Sequence, residues 1–258
     1  MLFRDLPGGD WLAITQPAHA LVSGQMLRAW GAAGFARPDP LEEVTTAAAQ
    51  HDVAWMGWET APTLDPGTGR PHLFRRVGAR QHAPMWAAGV ELALQAWGPW
   101  VALLLSRHGS LIYTRYGDRH RMAPEDAAAA DHYLETQGAM QRGWAAALRA
   151  PAAQVERNGA LVAVVDALSL AVCGELPVPG QAGEAPLEAG GTAALRVDER
   201  GDGAFVVDPW PFAVPAVVLT YPARRFKAAD RWAEEGAMRA ALAAAPWEMV
   251  SARLVPAA

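Results

Sequence analysis

The chain has 258 residues, of which 52% are hydrophobic and 19% are charged. This composition is typical of a globular protein and excludes a disordered or fibrous chain. The net charge of −5 argues against a broad basic surface for nucleic acid or anionic membrane, so we expect neither partner.

The cysteine content and the apolar stretches of the sequence indicate in which cellular compartment the protein is expected. Cys173 is the single cysteine, which excludes a disulfide framework within the chain and fits a reducing compartment. Residues 1–11 lack the apolar core of a signal peptide. Of the two longest apolar stretches, residues 96–105 are too short to span a bilayer, and residues 159–174 carry Asp166. We therefore expect a soluble cytoplasmic protein.

Capping residues and prolines delimit helices over the first two thirds of the chain. Thr15 is suited to cap the first helix, and Pro40 to start the second. The predicted helices are residues 16–30, 41–58, 84–97, 99–113, 124–149 and 151–173. Residues 59–80 are rich in Pro and Gly and form a long predicted loop, a feature that is usually functional or disordered.

The pattern changes after residue 176, where a Gly/Pro-rich stretch precedes strand-like runs. The predicted strands are residues 193–198, 204–208, 216–222 and 249–255, with a helix over residues 232–245. Gly201-Asp202-Gly203 predicts a hairpin turn. We expect a mainly α, overall α+β chain: a helical domain over residues 10–176, and a small C-terminal antiparallel β-sheet subdomain over residues 190–258 packed on it.

Several His and Asp residues occupy positions where a helix should be apolar. His108 follows the apolar stripe of its predicted helix, and Asp166 interrupts a helix that is apolar nearly all round. A lone buried carboxylate costs several kcal/mol unless it is paired or bound to a metal ion. Pairing with an arginine, or capping of a neighbouring helix, would explain Asp166 alone equally well.

The order of these residues along the chain resembles the HD-domain superfamily of metal-dependent phosphohydrolases. In that superfamily a first His, an adjacent His-Asp pair and a late Asp hold one metal ion. The matching positions are His19, His51, Asp52 and Asp166. In the binuclear branch two intermediate histidines, here His82 and His108, help to hold a second ion that the Asp of the pair bridges. The resemblance implies an HD-like helical bundle.

A closer resemblance is to a bacterial family known as domain of unknown function 3891. The matching stretches are residues 16–20, 51–55, 58–59, 64–66, 68–69, 106–108, 166–170 and 209–212. This likeness spans most of the chain and implies no particular reaction.

Imidazole and carboxylate ligands suit Mn, Fe, Zn, Co or Ni, and we expect one or two such divalent ions. The superfamily resemblance implies hydrolysis of a small phosphorylated molecule by water that the metal activates. Two alternatives stay open. One is a di-iron oxygenase of the same superfamily, and the other is a non-enzymatic module in which these residues form a buried polar network.

Further candidates concern the substrate. Arg107, with Arg70 and Arg75 of the long loop, is a candidate phosphate-binding group, because guanidinium forks match phosphate oxygens. A solvated surface run is the other interpretation of the loop arginines. Asp52, Arg107 and Glu59 are the candidate catalytic residues. His72, His120 and His132 are predicted to lie on the surface. The sequence leaves homo-oligomer formation open.

Overall fold

The structure, a computed structural model, describes residues 1–117, 121–201 and 203–257. Two sequence predictions, the surface position of His120 and the place of Asp202 in a hairpin turn, lie outside these residues. Helices α1–α8 of the described chain are Gln16–Ala29, Leu41–Gln50, Met56–Glu59, Ala79–Trp97, Pro99–Leu111, Pro124–Ala147, Ala152–Val172 and Glu235–Ala244. Strands β1–β9 are Leu2–Asp5, Trp11–Ile14, Leu64–Asp65, Arg70–Pro71, Gly180–Pro186, Thr192–Arg200, Ala204–Asp208, Val217–Phe226 and Trp247–Pro256.

A seven-stranded mixed sheet is the largest β element, with strand order β1-β2-β8-β9-β7-β6-β5, and β3 pairs with β4 in a separate hairpin. The prediction of a mainly helical, HD-like bundle with a small C-terminal antiparallel sheet is therefore wrong. The sheet takes β1 and β2 from the start of the chain and β5 from the Gly/Pro-rich stretch. It also contains one parallel pair, between β7 and β9. The division into domains 10–176 and 190–258 stays a prediction.

Strand β9 joins the two halves of this sheet. It pairs antiparallel with β8 on one side and parallel with β7 on the other. Ala252 and Leu254 of β9 are buried among the core residues of the sheet. The C-terminal strand is therefore a central strand and not an edge.

Most predicted helices are confirmed within a few residues, and the first illustrates why. Helix α1 begins after Thr15, whose Oγ1 accepts a hydrogen bond from the backbone N–H of Ala18 at 3.2 Å. Such a cap satisfies one of the free donors at a helix start. The predicted helix over residues 41–58 is wrong beyond Gln50, where α2 ends and a 3₁₀ turn, Val53–Trp55, leads into α3.

Two helices attach the helical part of the molecule to the sheet: α1 lies against β8, and α7 lies against β5. The side-chain amide of Gln25 exchanges two hydrogen bonds with the backbone of Thr220 on β8, at 2.8 and 2.9 Å. Helices α1, α2, α5 and α7 also pack on one another. Residues on their inner faces are thereby held in fixed positions relative to one another.

The close approach of α1 and α2 depends on Gly24. A Cβ atom added to Gly24 would lie 2.6 Å from the Cβ of Ala49. We expect Gly24→Ala to lower the free energy of unfolding by about 1–3 kcal/mol, because overpacking forces the helices apart. Urea unfolding measures this. The control, Gly143→Ala on the exposed face of α6, meets no atom within 4 Å, and its stability should be unchanged or slightly higher.

Candidate metal centre

Five buried or half-buried residues converge between the helices, and we call them the His/Asp cluster. They are His19 of α1, His51 and Asp52 directly after α2, His108 of α5, and Asp166 of α7. Four of them are buried, and the Asp166 side chain retains 18% of its exposure. The cluster therefore has one side that water reaches.

The end of α2 explains how adjacent His51 and Asp52 both face inward. His51 Nδ1–H donates to the backbone carbonyl of Ala48 at 2.8 Å. Asp52 then leaves the helical conformation, with φ −107° and ψ 18°. This bond satisfies a carbonyl at the helix end. It also fixes the tautomer of His51, so Nε2 carries the lone pair.

The free ring nitrogen of His51 lies between two carboxylates. Its Nε2 is 3.3 Å from Asp166 Oδ1 and 3.6 Å from Asp52 Oδ2, and it has no hydrogen-bond partner. Across the cluster, His108 Nε2 is 3.8 Å from Asp166 Oδ2. Two triads, His19/His51/Asp166 and His51/Asp52/His108, each have their ligand atoms within 4.8 Å of one another. Atoms at this spacing can share one ion.

His19 presents a second lone pair to a carboxylate. Ser169 Oγ–H donates to the carbonyl of Asp166 at 2.8 Å, so its oxygen accepts from His19 Nδ1–H at 2.7 Å. In the neutral ring Nε2 is then an acceptor, yet it lies 2.7 Å from Asp52 Oδ2. Two acceptors at this distance require a proton or a metal ion to satisfy both.

The acid–base state of the cluster favours added positive charge. Burial raises the pKa values of Asp52 and Asp166, but His51 and the other nearby histidines outweigh burial, so both pKa values fall below their usual range. Burial lowers the pKa of His51, yet the two carboxylates raise it to about 9. His51 therefore favours a proton at Nε2, and a metal ion bound at this nitrogen would replace that proton.

His82 lies in an aromatic layer beside the cluster and belongs to neither triad of the described residues. Its ring centroid lies 5.0 Å from that of Trp55 and 5.4 Å from that of Trp86, and its Nδ1 is 2.8 Å from Tyr113 Oη. Burial lowers the pKa values of His82 and His108 to about 4. Both rings are therefore neutral, the form that binds a metal ion.

Of the other candidates, Arg107 lies beside the cluster. It precedes His108, its Nε has no hydrogen-bond partner, and both residues line one cavity. Glu59 Oε1 instead accepts from the backbone N–H of Gln16 at 2.8 Å and pairs with the amino group of Met1 at 3.2 Å. Glu59 does not contact the cluster through these bonds, and its catalytic role stays a prediction.

The contacts of Arg70 and Arg75 are with other parts of the structure. The Arg70 guanidinium lies 4.3 Å from the ring centroid of Trp11, and that of Arg75 donates to the backbone carbonyl of Glu175 at 3.3 Å. Neither contact involves the His/Asp cluster. A role for either arginine in binding substrate stays a prediction.

Sequence reasoning missed Ser169 as a site residue. The signal was present, because Ser169 is a polar residue on the same apolar helix as Asp166, three positions later. Helix residues at this spacing lie on neighbouring parts of one face. The reasoning that selected Asp166 applies equally to Ser169.

Comparison with known proteins gives the family of the chain. The profile of a family described as "Protein of unknown function (DUF3891)" matches residues 1–228. The chain therefore belongs to this family. No curated protein and no solved structure matched the chain. In the part of the chain that the structure describes, none of the helices has the length and apolar character needed to cross a membrane.

The hydrogen bond from His19 to Ser169 leads to a test of the centre. We expect Ser169→Ala to weaken metal binding by about 10- to 100-fold, because the hydroxyl orients a ligand ring. Competition titration with a metal-binding dye measures the change. Ser23→Ala is the matched control: Ser23 is also buried and donates to an α7 carbonyl, that of Val165, at 3.2 Å. Equal affinity losses in both variants would contradict the role of Ser169.

Proposed function

We propose that the chain is a metal-dependent hydrolase that acts on a small phosphorylated substrate, and that the His/Asp cluster holds one or two divalent transition-metal ions. The observation that carries this proposal is the close approach of two buried ring nitrogens to carboxylate oxygens. His19 Nε2 is 2.7 Å from Asp52 Oδ2, and the partnerless His51 Nε2 is 3.3 Å from Asp166 Oδ1.

The donor set fits such an ion. Three imidazoles and two carboxylates are the ligands that Mn, Fe, Zn, Co and Ni accept. The remaining ring nitrogens of His19 and His51 are held by Ser169 and by the Ala48 carbonyl, at 2.7 and 2.8 Å. Metal-binding histidines in proteins are oriented by partners of this kind.

A relationship to the HD-domain superfamily is part of this proposal. Its support is the order of the ligands along the chain: a His, an adjacent His-Asp pair, a further His and a late Asp, carried by packed helices. The proposed relationship concerns the helices that carry the cluster and does not extend to the seven-stranded sheet.

The roles of the residues follow from their positions. A bound divalent ion supplies an activated water and polarises a phosphoryl oxygen. Asp52 Oδ2 lies within 3.6 Å of both His19 Nε2 and His51 Nε2, so this carboxylate would hold an ion together with these histidines. Asp166 has the most exposed side chain of the cluster, so its carboxylate would hold an ion at the side that water reaches. Arg107, next to His108, is placed to hold the phosphoryl group.

Metal content is the first test. Protein purified without chelator should contain one or two transition ions per chain by elemental analysis. After removal of metal and reloading with Mn, Fe, Zn, Co or Ni singly, phosphate release should be measured against a panel of phosphate monoesters. Protein that holds no metal and cannot be loaded would contradict the proposal and favour a structural polar network.

Oxygen uptake separates the hydrolase from the oxygenase alternative. The iron-loaded protein should release phosphate from its substrate without consuming oxygen. Oxygen consumption by the iron form, with no phosphate release in any metal form, would instead favour the oxygenase. The stripped protein, assayed identically, is the control for contaminating phosphatase.

A further inference from the structure

A cavity of about 340 Å³ opens beside the His/Asp cluster, between α5, α6 and α7 and the β5–β6 hairpin. Its lining includes Arg107 and His108 from α5, Gln141 from α6, Gly159 and Ala163 from α7, and Glu184 from β5. Two of its walls are therefore α5 and α7, the helices that carry His108 and Asp166.

The cavity meets the cluster at His108, while the other four cluster residues do not line it. His108 is a member of the cluster and lines the cavity. On α7, Gly159, Ala163 and Asp166 are spaced i, i+4 and i+7, which places them along one helix face. Asp166 is also the cluster residue with the most exposed side chain. A ligand in the cavity would thus contact His108 and lie along the α7 face that carries Asp166.

Arg107 is a cationic residue at the cavity whose buried Nε lacks a hydrogen-bond partner. Arg107 Nε makes no hydrogen bond, and the opposing wall is a glycine, where an added Cβ atom would lie 3.4 Å from this Nε. Gly159 therefore packs against this nitrogen, and its lack of a side chain leaves room for the Arg107 side chain. A phosphoryl oxygen is a suitable acceptor for this donor.

The other residues that line the cavity determine which chemical groups the rest of the ligand can carry. Glu156 and Glu184 place carboxylates on the cavity, and Glu184 Oε2 accepts from Thr192 Oγ1 at 3.1 Å. Carboxylates accept hydrogen bonds from hydroxyl or ammonium groups. Apart from the His108 imidazole, the described lining contains no aromatic side chain, so a nucleobase would find no Trp, Tyr or Phe ring to stack on there.

We propose that this cavity binds the substrate of the proposed hydrolase, and that the substrate is an aliphatic phosphate monoester bearing hydroxyl or amino groups, with its phosphoryl group on Arg107. Nucleotides are disfavoured. The inference rests on the proposed function, because it assumes that the ligand is a substrate for hydrolysis. Its test measures ligand binding and does not require the reaction.

Equilibrium binding is measured with ligands that cannot be hydrolysed, the phosphonate analogues of glycerol 3-phosphate and of AMP. In isothermal titration of the protein as purified, the glycerol analogue should bind at least about tenfold more tightly than the adenosine analogue. Arg107→Gln should weaken binding of the glycerol analogue by about 10- to 100-fold, the effect of losing a charged hydrogen bond. Arg253→Gln, on the exposed side of β9, should leave it unchanged.

Glu184→Gln tests the polar wall separately. It should weaken binding of the glycerol analogue and leave binding of inorganic phosphate unchanged, because only the former carries hydroxyl groups. Equal binding by Arg107→Gln and Arg253→Gln, or tighter binding of the adenosine analogue, would overturn the assignment of the cavity.

The assignment of the cavity and the hydrolase proposal can be contradicted independently. If the binding pattern holds but no metal form releases phosphate, the hydrolase proposal fails and the cavity assignment stands. If phosphate is released and Arg107→Gln binds and reacts like the wild type, the hydrolase proposal stands and the cavity assignment is overturned.

Discussion

Replacement of Asp52 by Asn is expected to remove most of the bound metal. Asp52 Oδ2 is the oxygen nearest to His19 Nε2, at 2.7 Å, and it belongs with His51 and His108 to one ligand triad. Loss of an outer partner of a ligand already costs about 10- to 100-fold in affinity, so loss of this carboxylate should cost more than about 100-fold. Elemental analysis of protein purified without chelator measures the loss.

Thermal unfolding adds a second measure for Asp52→Asn. A ligand that binds only the folded state raises its stability. Added metal should therefore raise the midpoint of the wild type and leave that of the variant unchanged. Asp198→Asn is the control, because Asp198 is exposed on β6. Wild-type metal content in the Asp52 variant would show that the cluster does not depend on this carboxylate.

Removal of the residues after 228 is expected to prevent folding. The family profile ends at residue 228, yet β9 lies beyond it and pairs with both β8 and β7. Without β9 the sheet separates into two parts, and the buried residues Ala252 and Leu254 are lost from its core. The newly unpaired edges of β8 and β7 favour aggregation.

Circular dichroism and urea unfolding of the shortened chain measure this effect. A cooperative unfolding transition should be lost, and the protein should collect in the insoluble fraction. The control ends at Pro256, which retains all of β9, and should unfold like the full chain. A soluble, cooperatively folded chain of residues 1–228 would show that β9 is dispensable.

Local sequence signals predicted most helices. The strands that were not predicted, such as β2 and β5, form because they pair with strands elsewhere in the sheet. Proline, glycine and capping residues mark helix ends directly, as Thr15 does for α1. Strand β5 contains Gly180, Gly183 and Pro186, residues that weaken a strand pattern, and it is held by pairing with β6. The edge of β2 pairs with β8, for example Trp11 with Phe226, and no local pattern carries that information.

One local signal for the N-terminal hairpin was available. Gly8 and Gly9 lie between β1 and β2, and both have positive φ, 90° and 89°. Adjacent glycines between two short apolar runs are a hairpin signal, because they adopt this conformation without steric cost. Attention to the turn would have predicted the strands on either side of it.

The His/Asp cluster was predictable as a set of residues, and its geometry was not. Polar residues in apolar helices identified His19, His108 and Asp166, and all three converge. The inward direction of both His51 and Asp52 depends on the end of α2, where the imidazole donates to the Ala48 carbonyl. Local bonds of this kind compete with helical hydrogen bonds, and the apolar pattern of residues 41–58 does not show where they end the helix.

The pairing of β2 with β8 has a consequence for synthesis on the ribosome. Helices α1, α2, α4, α5 and α7 are complete before β8 and β9 are made, so all the cluster residues leave the ribosome before the sheet can close. Translation adds about 5–20 residues per second, so the nascent chain exposes the unpaired edge of β2 and the sheet-facing side of α1 for about 10–40 seconds. Non-local strand pairing of this kind also slows folding. Until β8 and β9 are made, this unpaired edge is open to incorrect strand pairing.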